Sequence, residues 1–254
     1  MKIIVISTVV PDLVEELEIL PDGKSLDKTY LRYIPNELDD HALEEALLLK
    51  ERHGGEVTVT ALNIREETDE MLFSALAKGA DKTVKINGDF EGIDNHKRAK
   101  ILRKVIEGLE FDLILTGVQT VEDVDGYGGP LLSSYLSIPY VGVVSGVSVL
   151  KETLLVKKEL PGGLLSEIEV SIPCILGIQA AESPPRYLTI SKLRQVMKTA
   201  KLEEFQCEKE ENGKIEIKKV FKPEIAGKAE MIGGEAKDIV DRIVKILEEK
   251  GIIK

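Results

Sequence analysis

The chain has 254 residues, a formal net charge of -11, and 43% hydrophobic and 31% charged residues. That length gives one large domain, or a domain with appendages, with room for a buried core, and the balance is that of a globular protein. The acidic excess without a basic run argues against nucleic acid and anionic membrane as partners, because both need clustered Lys and Arg.

The two cysteines, Cys174 and Cys207, are too few for a disulfide scaffold and fit a reducing cytoplasm. Cys174 lies in an apolar run and reads as core, Cys207 as a surface thiol. There is no signal-peptide pattern and no apolar run near the roughly 20 residues of a membrane span. The expectation is a cytoplasmic protein without direct membrane insertion, membrane-associated only through a partner subunit.

The elements follow in chain order. Ile3-Ile4-Val5-Ile6 is a continuous apolar strand of the kind buried on both faces, with Ser7 and Thr8 at its carboxyl end. Val9 to Tyr33 reads as one long connection with a Pro21-Asp22-Gly23-Lys24 turn. Asn36 to Glu51 is an amphipathic helix with Asn36 or Asp39 as its cap, and His41 reads as a surface or cap residue. Val57 to Leu62 is a strand ending in Asn63, Glu66 to Lys78 a helix stopped by Gly79, and Thr83 to Ile86 a short strand. Asn95 to Gly108 is the next helix.

The chain then reaches its most informative stretch, Leu113 to Pro130. An apolar strand runs into a loop ending Gly126-Tyr127-Gly128-Gly129, and Pro130 opens a helix carrying Leu131, Leu132, Tyr135 and Leu136. Strand, glycine-rich loop and helix N-terminus together aim backbone N–H groups at the loop, where phosphate is the usual occupant. A tight turn needing positive φ is the plainer reading of the same glycines. Tyr140 to Val144 is a fifth strand.

Strands and helices alternate to this point, which implies a mostly parallel, doubly wound α/β sheet. Ligands in such sheets sit at the strands' carboxyl ends, where strand order reverses. Ser7, Asn63 and Gly117 fall at three such ends and are expected around one crevice. Beyond Gly146 two strand-like runs flank Pro161-Gly162-Gly163, an antiparallel hairpin over 147–172. Cys174 to Ile178 is a sixth strand. Thr189 or Ser191 caps a short helix through Ala200 whose stripe, Ile190, Leu193 and Met197, fits either core packing or a docking face, with core the default. Glu203 to Gly213 reads as exposed, Ile215 to Ile225 as extended, and Gly233 to Lys250 as a helix with Ile239, Val240, Ile243, Val244 and Leu247 inward. The expected division is a nucleotide-binding domain over 1–200 and an extension over 201–254 that packs on a partner subunit.

No metal-ligand spacing, no G-x-S-x-G elbow, no P-loop and no G-x-G-x-x-G follows the first strand. Glu122, Asp123 and Asp125 read as a solvated loop rim or as hydrogen-bond acceptors for a ribose rather than as an ion site. With no nucleophile–base pair there is no self-contained active site, which favours a cofactor-carrying or binding role over hydrolysis.

These residues resemble the beta (small) subunit of the electron-transfer flavoproteins over essentially the whole chain. The matching pieces are Asn36-x-x-Asp39 with Ala42 to Leu47, Leu49-Lys50-Glu51, and Ala75-Leu76-Ala77-x-Gly79-Ala80-Asp81. Gly117-x-Gln119 with the acidic loop to Gly129, Gly162-Gly163, and Pro185-Arg186-Tyr187 with Met197-Lys198-x-Ala200-Lys201 complete them. The resemblance implies an adenine-nucleotide-hydrolase-like fold and an adenine-nucleotide site. Its residues would be Ile6, Ser7, Asn36, Asp39, Asn63, Gly117, Gln119, Thr120, Val121, Asp123, Val124, Asp125, Gly126, Tyr127, Gly128, Gly129 and Pro130. It implies an alpha-subunit partner carrying FAD, and a redox partner (a dehydrogenase or quinone oxidoreductase) docking near 186–200 through Ile190, Leu193 and Met197. The Gly129-Pro130 ending is similar to the branch whose beta subunit binds a second FAD and supports electron bifurcation. FAD is therefore the expected nucleotide, with AMP the alternative. Two competing readings are an adenine-nucleotide hydrolase, which would need a phosphate loop that Ser7-Thr8-Val9-Val10 does not supply, and a regulatory module that senses AMP or ATP.

Overall fold

The computed structural model describes residues 1–90, 93–207, 217–223, 229 and 231–253. In chain order the first elements are β1 (Lys2–Ile6), β2 (Val9–Pro11), β3 (Tyr33–Pro35), α1 (Glu37–His53), β4 (Glu56–Leu62), α2 (Glu67–Lys78) and β5 (Lys82–Asn87). Then come α3 (Asn95–Ile106), β6 (Leu113–Gly117), α4 (Gly128–Leu136), β7 (Tyr140–Val149), β8 (Thr153–Leu160), β9 (Leu164–Ser171) and β10 (Cys174–Ile178). The last are α5 (Ile190–Thr199), β11 (Glu203–Gln206) and α6 (Ala236–Glu249).

Nine strands among the described residues form one sheet in the order β11-β5-β4-β1-β6-β10-β7-β8-β9. The pairs from β11 to β7 are parallel, and β7-β8 and β8-β9 are antiparallel. The chain moves from β1 outward to β4 and β5, then returns through α3 to the other side of β1 as β6. Strand order therefore reverses between β1 and β6.

The apolar runs explain this layering. In β1, Ile3 and Val5 join the core beneath α1 and α2, while Ile4 joins the core beneath α3 and α4. Leu113 and Leu115 of β6 split from Ile114 in the same way. A strand buried on both faces needs apolar side chains at every position, which is why these runs are continuous rather than alternating.

Four expectations are corrected. The connection after β1 is not featureless: its ends pair antiparallel as β2 and β3, Val9 opposite Pro35 and Pro11 opposite Tyr33. The fifth strand does not stop at Val144. Val143 takes φ 61° and is skipped between Gly142 and Val144 in the pairing with β10, so the strand bulges and runs on to Val149. Beyond the bulge β7 pairs antiparallel with β8, and the run read as one hairpin arm over 147–158 breaks where the Leu150 N–H meets the Thr153 carbonyl. The hairpin is thus the outer part of a three-stranded meander.

The sheet also extends past position 200, because the exposed, charged segment Glu203–Gln206 pairs with β5 as its edge strand. Edge strands tolerate this composition, and charge there discourages pairing with another chain. No residue of α6 is buried, and Val240, Ile243 and Val244 are exposed. Of the run read as extended over 215–225, residues 217–223 are described and form no strand, and the others lie outside the described residues. Cys174 is fully buried, as expected, and Cys207 is only half-buried, its N–H on the Asn87 carbonyl.

Candidate functional site

A crevice of about 630 Å³ opens at the carboxyl ends of β1 and β6, at the reversal point of the sheet. Ile6, Ser7 and Thr8 form one wall, Thr116 to Thr120 another, and Gly128 and Gly129 of α4 stand at its edge with Asp123. Crevices of α/β sheets form at such a point because the helices after β1 and β6 leave on opposite faces and part the loops.

Asp39 holds the two walls together. Its Oδ1 accepts the Gly117 N–H at 2.8 Å and its Oδ2 accepts the Thr8 N–H at 2.9 Å. Burial pushes its carboxyl up to about 7, against the opposing pull of those N–H groups and of Arg98. Asn36 donates from Nδ2 to the Gln119 carbonyl at 3.1 Å. Neither side chain caps the helix, contrary to expectation: α1 has no side-chain cap hydrogen bond, and both residues are spent bridging to the β6 loop instead.

The loop after β6 is compact. The Asp123 N–H bonds the Thr120 carbonyl and Oγ1, and the Gly126 N–H bonds the Asp123 carbonyl. Gly126 has φ 67° and faces the Val118 carbonyl, so a side chain there would be strained and crowded. At α4, Gly128 and Gly129 are the first helical residues and Pro130 has no N–H, so two N–H groups point out of the helix end toward the crevice edge.

Nine of the expected residues line this crevice: Ile6, Ser7, Asp39, Gly117, Gln119, Thr120, Asp123, Gly128 and Gly129. Asn36 lines a smaller adjoining cleft of about 390 Å³, which shares Ser7 and Asp39 with the crevice. Val121, Val124, Asp125 and Tyr127 lie on the exposed outer side of the loop, and Gly126 and Pro130 are structural. Asn63 turns away, donating from Nδ2 to Asn87 Oδ1 at 2.9 Å, while its neighbours Leu62 and Ile64 face the crevice. Side chains alternate at a strand end, so reading the polar residue as the inward one erred by a single position.

The sequence reading also missed Thr8, Arg98, Leu102, Thr116 and Val118. Arg98 had a signal: it stands in the first turn of α3, which carries no acid. It places one cation in the crevice wall.

A second feature joins two separate motifs. The segment from β10 to α5 is strapped to the outer face of α1. The Ala181 N–H donates to His41 Nδ1, the Glu182 N–H to Glu45 Oε2, and the Arg186 N–H to Glu44 Oε2. The Arg186 guanidinium grips both oxygens of Glu44 and reaches Glu51 at 2.8 Å. Those contacts hold the Glu44 carboxyl below its usual range despite burial. His41, read as a surface or cap residue, is thus an acceptor within the strap. The strap delivers α5, whose Ile190 is 65% exposed and Met197 44% exposed, with Leu193 half-buried. Core packing, the default for that stripe, is overturned: no residue of α5 is buried.

Among the described residues no helix is long and apolar enough to cross a membrane, and no cluster of His, Cys, Asp or Glu could hold a metal ion.

The electron transfer flavoprotein domain family matches residues 25–210. The chain is 31% identical to the electron transfer flavoprotein subunit beta of Methylophilus methylotrophus, over 98% of each chain. It is 30% identical to the acryloyl-CoA reductase electron transfer subunit gamma of Anaerotignum propionicum over the full length of both. It is 26% identical to the caffeyl-CoA reductase-Etf complex subunit CarD of Acetobacterium woodii, again over the full length of both. With its mostly parallel α/β sheet and this end-to-end match, the chain belongs to the electron transfer flavoprotein family, among its beta subunits.

Proposed function

We propose that the chain binds an adenine nucleotide in the β1–β6 crevice, FAD in preference to AMP. Paired with an FAD-bearing alpha subunit, it carries electrons between a donor and quinone- or ferredoxin-linked acceptors. The observation that carries this reading is the crevice itself: it lies at the reversal point of strand order, with the N-terminus of α4 at its edge.

The residues present suit such a group. Gly128 leaves open space where a Cβ would stand, with Asp123 Oδ2 the nearest atom at 4.0 Å, so a ligand can approach the helix N-terminus closely. The two N–H groups there would take a phosphate oxygen, and Asp123 and Thr120 stand where ribose hydroxyls would find partners. When bound, a flavin supplies the electron chemistry; the chain supplies position and the local field that sets potential. The FAD preference rests on the Gly128-Gly129-Pro130 ending and on the relatives named for CoA reductase complexes. The strap and α5 would form the docking element for the redox partner, and α6 would pack on the alpha subunit.

The test is to purify the chain with its alpha partner, release bound nucleotide with acid, and identify it. Two FAD per pair and no AMP is the expected result. One FAD with one AMP would make the complex a simple electron shuttle. No adenine nucleotide beyond the alpha subunit's FAD would end the reading.

A further inference from the structure

We propose that Arg98 is the phosphate-recognising side chain of the crevice, contacting the phosphate or pyrophosphate of the nucleotide held there. The inference rests on the nucleotide reading above and adds to it a residue outside the glycine-rich loop.

Arg98 stands in the first turn of α3, one residue after Lys97, whose N–H the capping Asp94 accepts at 2.9 Å. That turn carries His96, Lys97 and Arg98 and no acid. A cation at a helix N-terminus works against the helix dipole, so helix stability gives no reason for it. Solvation gives none either, because Arg98 is half-buried and lines the crevice beside the apolar side chains of Ile6, Leu62, Ile64 and Leu102.

Among the described residues the Arg98 N–H bonds the Asp94 carbonyl, while its guanidinium makes no hydrogen bond and no ion pair. The Asp39 carboxyl, whose charged form Arg98 favours, is already engaged by the Gly117 and Thr8 N–H groups. A guanidinium has five donors and no acceptor, and none of the Arg98 nitrogens is among the buried atoms without a partner, so its donors are reached by solvent and open to a ligand. Two other arginines are held by carboxylates: Arg186 by Glu44 and Glu51, and Arg52 by Glu182. In a chain of net charge -11, an arginine that shares a crevice with Asp39 and Asp123 yet forms no ion pair with either marks a place for an anion brought from outside. The planar fork suits two phosphate oxygens at once. The N–H groups of Gly128 and Gly129 line the same crevice, so the loop and α3 each bring one positive element to one ligand.

The experiment uses the complex with the alpha subunit, stripped of exchangeable nucleotide, and measures binding of FAD, AMP and adenosine by calorimetry. Arg98→Ala and Arg98→Lys are compared with wild type, with thermal melting as the check on folding. The expected result is that Arg98→Ala weakens whichever phosphate-bearing ligand wild type binds by on the order of ten- to a hundredfold, as loss of hydrogen bonds to a charged group does. Adenosine binding stays within about twofold, because it has no phosphate. Arg98→Lys falls between, and the gap between variants narrows in high salt. Unchanged FAD and AMP binding in Arg98→Ala overturns the inference and leaves the nucleotide reading standing. Equal losses for AMP and adenosine overturn it as well, since Arg98 would then only shape the wall. Wild type that binds none of the three overturns the nucleotide reading, and this inference with it.

Discussion

Asp39 and Gly117 meet at the point where the sheet reverses its winding, the aspartate Oδ1 accepting the glycine N–H at 2.8 Å. The contact requires a glycine. A Cβ at position 117 would lie 2.5 Å from that same oxygen and 2.8 Å from Leu38 Cβ. Gly117→Ala therefore pushes α1 off the end of β6. A crowded core position of this kind costs about 1–3 kcal/mol, and the wall of the crevice moves with it. Denaturant unfolding should register the loss, together with reduced nucleotide content in the folded fraction. An alanine variant with wild-type midpoint and wild-type nucleotide would show that the contact constrains nothing.

Asp39 and Glu45 set a pH dependence. Burial raises both carboxyls to about 7, in Glu45 against the pull of the Glu182 N–H on Oε2, with Oε1 left without a partner. Unfolded carboxyls titrate near pH 4, by the usual reference values. Between about 4 and 7 the folded chain holds more protons than the unfolded one, so stability from this source falls as pH rises through that window. Glu44 and Asp81, held low by Arg186 and Lys50, act oppositely and withdraw stability in more acid solution. The urea midpoint should accordingly decline from pH 5 to pH 7.5. Glu45→Gln, which cannot ionise, should flatten the decline; an unaltered slope would take Glu45 out of the account.

Gly128 and Gly129 are adjacent but unlike. A Cβ at 128 meets only open space, whereas one at 129 would come within 2.6 Å of the Tyr140 ring. That ring also overlies Gly142 and Gly177, and burial lifts its phenol to about 12. Gly128→Val should fold normally and lose nucleotide, because the side chain fills space left for the ligand. Gly129→Ala should lower the melting temperature despite alanine's better helix propensity, worth about 1 kcal/mol. Paired melting curves and nucleotide assays separate the two. Equal stability losses at both positions would contradict the packing seen here.

Much of this was legible in the chain, and the failures have physical causes. Continuous apolar runs at Ile3–Ile6 and Leu113–Leu115 betrayed strands buried on both faces, and from them the sheet and its reversal point followed. The glycine-rich stretch placed the crevice edge. Periodicity could not see that Val143 bulges, since a positive φ at a β-branched residue is imposed by tertiary pairing. It gave Asn63 the wrong direction because a strand end settles facing only through its neighbours' pairing. Nor could the amphipathic stripe in α5 tell a core face from an outward one, as both need the same apolar spacing. Asn36 and Asp39 have the residue types of helix caps, yet the loop after β6 competes for their oxygens and amide and wins.

The clamp between Arg186 and Glu44 yields the last prediction. Glu44 is nearly buried, and Arg186 grips both of its oxygens while donating its own backbone N–H to Oε2. Arg186→Ala would leave that carboxylate buried without its cation, at on the order of 1–3 kcal/mol. The larger consequence is positional. The strap from Ala181 to Arg186 leads into α5, which packs beside α2 and carries Ile190 and Met197 exposed. Releasing it should slow electron exchange with the redox partner while the nucleotide, bound at the other end of α1, stays in place. Arg186→Lys keeps the charge but not the two-pronged grip and should recover only part of the rate. Ile190→Asp, which touches neither clamp nor crevice, should slow the same exchange without altering the melting temperature. Partner-reduction rates measured beside nucleotide content decide the matter. Loss of nucleotide in Arg186→Ala would mean that the strap supports the crevice and not the docking face, and a full exchange rate would mean that α5 needs no strap to present itself.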